Sequence, residues 1–123
     1  MRQVWRGARV LDGGQLREGM ALVAKDGIVA ALVPDTGEGE DLGGGVLLPG
    51  FIDLQVNGGG GALLGQGDPD EALATICGTH GRLGTTGLLP TLITSDPETT
   101  AAVIAAGVRA AKAGLPGFLG LHL

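Results

Sequence analysis

The chain has 123 residues, enough for one modest domain and marginal for two. Hydrophobic residues make up 44% and charged residues 17%, a balance that excludes a disordered polymer. A net charge of −5, an aromatic content of 2% and the lack of any basic cluster exclude nucleic acid and anionic membrane surfaces as partners, because those partners demand cationic patches and stacking rings.

Cys77 stands alone, so no intrachain disulfide forms and a reducing compartment is expected. The N-terminal MRQVWRGARVLDGGQ has no apolar core of signal-peptide length, and no stretch approaches a membrane span. The expected location is the cytoplasm. Glycine reaches 25 residues without a collagen-like period, which points to tight turns and close backbone approaches.

Residues 1–48 alternate short apolar runs with turn residues: Val4 to Leu11, Gly13-Gly14, Gly19 to Ala24, Asp26-Gly27, and Ile28 to Val33 before Pro34. Asp26-Gly27 between two apolar runs is a two-residue hairpin signal. The polar PDTGEGEDLGGG then reads as a loop, and the whole segment as a small antiparallel β unit.

From residue 49 the pattern changes. Phe51 to Val56 is a short strand running into four glycines, with Asp53, Gln55 and Asn57 at alternate positions and so expected on one face. Asp68-Pro69-Asp70-Glu71 carries a helix start, with Asp68 as N-cap and Glu71 at N3. Leu73, Ile76, Cys77 and His80 then fall on one helical face, closed by Gly81 and Gly84. Thr86 to Thr94 is the next strand, although Pro90 inside it requires a bulge or bend. Asp96-Pro97 repeats the start signal for an alanine-rich helix to about Lys112, with Ile104, Val108 and Ala111 as its expected apolar stripe. Gly114 and Pro116 stop it, and GFLGLHL reads as a third strand.

The order β-α-β-α-β is the unit of a parallel sheet, whose chemistry gathers at the carboxyl ends of the strands. That rule selects Gln55, Asn57 and Thr94. Ending on an apolar strand, the chain is expected to be the N-terminal piece of a longer protein. Other chemical side chains have structural readings. GGGGALLGQG lacks a nucleotide-loop register and reads as a flexible turn. His80 and His122 read as packed residues and Cys77 as inert, while Asp68, Glu71, Asp96 and Glu98 answer helix dipoles.

The segment LLPGFIDLQVNGGGG resembles the opening barrel strand of the amidohydrolase superfamily, which carries P-G-[FL]-[IV]-D-x-H-x-H there. It is most similar to the N-acetylglucosamine-6-phosphate deacetylase family, one branch of which has Gln and Asn in place of the two histidines. GTTGLLPTLITSD and the terminal GLHL resemble the same family's second and third strand segments.

The resemblance implies an α/β fold: a small β-sandwich unit over 1–48, then over 49–123 the first three strands of an incomplete TIM-like (β/α)8 metal-dependent hydrolase barrel. It implies an intact enzyme that hydrolyses the acetamide of a small-molecule amino-sugar phosphate, working as a homodimer with one divalent metal ion, zinc or similar. Gln55 and Asn57 would line the vacated position of a second metal, since neutral amides are weak metal ligands beside histidine. The family's ligand set is a glutamate after GLHL and two later histidines, and an aspartate on the last strand is its general acid/base. None lies within this chain, so no metal is expected on it and no catalytic residue or activity of its own. Two alternatives remain: another amidohydrolase-type hydrolase, or a non-catalytic truncated remnant.

Overall fold

The computed structural model describes all residues from Met1 to Leu123, which fall into two compact units, Met1–Pro49 and Gly50–Leu123.

The first unit holds seven strands: β1 (Arg2–Arg6), β2 (Arg9–Asp12), β3 (Gln15–Arg17), β4 (Met20–Lys25), β5 (Ile28–Pro34), β6 (Glu40–Asp41) and β7 (Val46–Leu47). They form one sheet in the order β5-β4-β1-β6 and a second in the order β3-β2-β7. The expected hairpin is present: β4 and β5 pair antiparallel across Asp26-Gly27, where Asp26 takes φ 52°. Val10, Ala21, Val23 and Ala24 are the buried apolar residues of the first unit.

Two sequence expectations change here. The unit is mixed rather than antiparallel, because β6 returns parallel to β1 and β7 parallel to β2. Accordingly the polar loop after Pro34 is partly strand. Polarity misleads at that point because Glu40 and Asp41 contribute backbone hydrogen bonds to the sheet edge while their side chains stay exposed, and Arg6 meets Asp41 at 3.0 Å.

The second unit contains β8 (Phe51–Val56), α1 (Pro69–Gly81), β9 (Thr85–Pro90) and α2 (Pro97–Ala113), with β8 and β9 parallel. Both helices start as their Asp-Pro signals require. The Asp68 carboxylate accepts from Glu71 N at 2.9 Å and that of Asp96 from Thr99 N at 2.8 Å, satisfying amides the helix leaves orphaned. Leu73, Ile76 and Cys77 of α1 are buried, as their spacing predicts, together with Leu88 of β9.

The stripe on α2 differs from expectation. Ile104 and Val108 are 42% and 49% exposed, whereas Val103, Ala106, Gly107 and Ala110 face the core. The buried face is the one with the smallest side chains, and close approach explains the choice. A Cβ on Gly107 would lie 2.6 Å from Leu121 Cδ1, so this face admits a neighbour that a larger residue would exclude.

The terminal GFLGLHL is not a continuous strand either. It meets β9 and the residue after it at two isolated parallel bridges, Leu88 with Phe118 and Thr91 with His122, four steps along one segment against three along the other. Leu88 N donates to Gly117 O at 2.8 Å and Leu92 N to His122 O at 2.9 Å. Between them stands Pro90, which has no N–H to offer that edge, and there the ladder breaks. The regular part of β9 likewise stops at Pro90 rather than Thr94.

Candidate functional site

The parallel pairing of β8 and β9 brings their carboxyl ends to one side. Gln55 is the penultimate residue of β8 and Asn57 the first beyond it, and both are exposed. The register between Asp53 and Val56 is irregular: Asp53 faces Leu88 and Val56 faces Pro90, three steps along β8 for two along β9. Such a bulge breaks the alternation of faces. By register Asp53 lies on the side of Val56, not with Gln55 and Asn57, which corrects the single-face expectation. Its carboxylate turns instead to the backbone and accepts from Gln55 N at 3.1 Å.

At the end of β9 the structure places Thr91 rather than Thr94. Thr91 is the one buried polar side chain, at 4% exposure; its N donates to Val56 O at 2.9 Å and its Oγ1 to Leu89 O at 3.2 Å. Thr94 lies past the ladder and is exposed.

The four glycines after Asn57 form a packed turn, not a loose one. Gly59 and Ala62 exchange reciprocal backbone hydrogen bonds of 3.0 Å, and His80 Nε2, reaching over from α1, lies 3.0 Å from Gly58 O. A Cβ on Gly59 would stand 2.7 Å from that nitrogen, so the ring can reach the carbonyl only over a glycine. His122 does the corresponding work from the other side: its Nδ1 lies 2.9 Å from Leu54 O, across β9. Neither role was legible in the chain, because a histidine in an apolar stripe gives no sign of which carbonyl it meets.

Asp96, Asp70 with Arg109, and Cys77 have structural surroundings. The Thr99 backbone amide, then its hydroxyl, holds the Asp96 carboxyl below the usual carboxylate value. The Arg109 guanidinium bonded to Asp70, at 3.0 and 2.6 Å, lowers the Asp70 carboxyl and joins α1 to α2. Burial pushes the Cys77 thiol up, which makes it a poor nucleophile, as expected. No group of three or more His, Cys, Asp or Glu side chains converges on a point that could hold a metal. The two amides are weak ligands, and each histidine already spends one ring nitrogen on a carbonyl. These residues do not by themselves fit a metal centre.

No protein-family model matches the chain. It is 39% identical over 94% of its length to N-acetylgalactosamine-6-phosphate deacetylase of Shewanella sp. (strain ANA-3), of which it covers 31%. Over 70% of its length it is 41% identical to human N-acetylglucosamine-6-phosphate deacetylase, of which it covers 22%. Among solved structures, N-acetylglucosamine-6-phosphate deacetylase from Pasteurella multocida superposes on 91% of the chain with a TM-score of 0.81 at 28% identity, the chain covering 31% of it.

All three of these relatives are amino-sugar-phosphate deacetylases by name. The chain is similar to N-acetylglucosamine- and N-acetylgalactosamine-6-phosphate deacetylases over the N-terminal region of those proteins. It spans about a third of the length of the first of these relatives, 31%.

Proposed function

We propose that this chain is the N-terminal portion of an enzyme that hydrolyses N-acetylglucosamine 6-phosphate to acetate and glucosamine 6-phosphate. The observation that carries the reading is agreement of sequence and fold with deacetylases over at least 91% of the chain. In this reading residues 1–48 are a small β-sandwich unit, and residues 49–123 open a (β/α)8 barrel whose mouth includes Gln55 and Asn57. The two amides hydrogen-bond water or substrate beside the reacting acetamide. A divalent ion in the complete enzyme would take its ligands from residues other than these 123, and a separate aspartate, also outside them, would be the general acid/base. The complete enzyme works in the cytoplasm as a homodimer.

Acetate release from N-acetylglucosamine 6-phosphate by the complete protein, with this chain alone as the control, tests the proposal. Release by the complete protein and none by the chain is the expected result. No release by the complete protein, with metal supplied, would refute it. The galactosamine epimer belongs in the same assay, because the relative matched over 94% of this chain acts on that sugar by its name. A higher kcat/KM for N-acetylgalactosamine 6-phosphate would reassign the substrate within the same chemistry.

A further inference from the structure

The chain has two histidines, and both spend a ring nitrogen on a backbone carbonyl next to the Gln55–Asn57 segment. His122 reaches Leu54 O, immediately before Gln55, at 2.9 Å. His80 reaches Gly58 O, immediately after Asn57, at 3.0 Å. The two rings come from unrelated places, one from a helix and the other from the terminal segment, yet they close on the same short stretch.

Both carbonyls sit where the β-ladder fails to hold the chain. The bulge lies between Asp53 and Val56, and Thr91 N, immediately beyond β9, donates to Val56 O. Gly58 lies beyond the end of β8. Apart from the rings, the hydrogen bonds that hold this segment are that from Thr91 N to Val56 O and local ones, Gln55 N to the Asp53 carboxylate and Gly58 N to Val56 O.

We infer that His80 and His122 are positioning residues that clamp the Gln55–Asn57 segment from both ends. A carbonyl oxygen only accepts, so the contacting nitrogen must carry the proton in each case. The two neutral rings are therefore opposite tautomers: Nδ1–H in His122 and Nε2–H in His80. That the clamp exists is independent of the proposed function; what it serves, holding the two amides at the reacting centre, rests on that reading.

Nitrogen-15 NMR of the full chain, at a pH well above the ordinary histidine range, tests the clamp directly. His122 should show a protonated Nδ1 and a bare Nε2, and His80 the reverse. Either ring found in the other tautomer, or averaging between the two, would overturn the inference without any variant being made.

Conservative replacements supply a second test. Counted in bonds from Cα, an asparagine amide nitrogen stands where imidazole Nδ1 does and a glutamine nitrogen where Nε2 does. His122→Asn and His80→Gln should therefore keep the backbone amide resonances of Gln55 and Asn57 in place, while His122→Gln and His80→Asn displace them. In the complete deacetylase the displaced pair should lower kcat by roughly tenfold or more with a smaller change in KM, the size of loss a misplaced active-site group produces. Equal effects of Asn and Gln at either position would refute a clamp. A protein without deacetylase activity that keeps the tautomers and the crossed rescue would instead refute the proposed function and leave the clamp standing.

Discussion

Val103 and Ile104 are neighbours on α2 with opposite fates, and truncating each to alanine separates the observed packing from the stripe expected of the sequence. Val103 is 1% exposed, so Val103→Ala removes two buried methyl-sized groups from a filled site. At about 0.8 kcal/mol each, plus a partial cavity and minus the higher helix propensity of alanine, the cost is about 2 kcal/mol. Ile104 is 42% exposed, so although Ile104→Ala removes three carbons it forfeits only part of their burial and leaves no cavity. With the same propensity gain, its cost is below about 1 kcal/mol. Both helices lie in the second unit and the single tryptophan, Trp5, in the first, so circular dichroism at helical wavelengths is the suitable probe during urea unfolding. Val103→Ala should lower the midpoint by about 1 M or more and Ile104→Ala by well under half of that. An Ile104→Ala loss equal to or larger than that of Val103→Ala would refute the assignment of the buried face.

Three further outcomes follow from the second unit. Asp70 is held low by Arg109, so the stability its ionised form contributes is present above the ordinary aspartate value near 3.8 and is lost as pH falls through its lower folded value. In Asp70→Asn the stability-against-pH curve should flatten in that acid window, as followed by urea midpoints from neutral pH downward. Cys77, 3% exposed, should resist thiol reagents in the native chain and react at the rate of local opening, so labelling that is fast without denaturant would contradict its burial. Gly59→Ala would drive a Cβ against His80 Nε2 and cost about 1–2 kcal/mol through the lost bond to Gly58 O. Since His80→Ala removes the same bond, the double variant should lose much less than the two single losses combined, and simple additivity in a thermal-melt cycle would count against the contact.

The local punctuation of this chain was readable because its causes are local. Asp68-Pro69 and Asp96-Pro97 start helices through a carboxylate that reaches an amide three residues on, and Asp26-Gly27 turns a hairpin through its own backbone angles. The apolar face of α1 followed from spacing, since Leu73, Ile76 and Cys77 are large enough to leave no other face to bury. On α2 the same method chose wrongly. An alanine-rich helix offers two possible faces, and what decides between them is the bulk of a neighbour, Leu121, that lies elsewhere in sequence.

Likewise, Gln55 and Asn57 could be placed at a strand end from the sequence by itself, together with the family resemblance of the residues around them. Composition alone carried the expectation that nucleic acid and anionic membranes are not partners. Only the tertiary structure decided that Asp53 leaves their face, that β9 stops at Pro90 with Thr91 rather than Thr94 just beyond it, and that two histidines, one 22 residues beyond Gly58 and the other 68 beyond Leu54, hold the segment between them. Register and hydrogen-bond partnership are relations between distant backbones. A sequence records which side chains are available, but the fold determines which carbonyl each one meets.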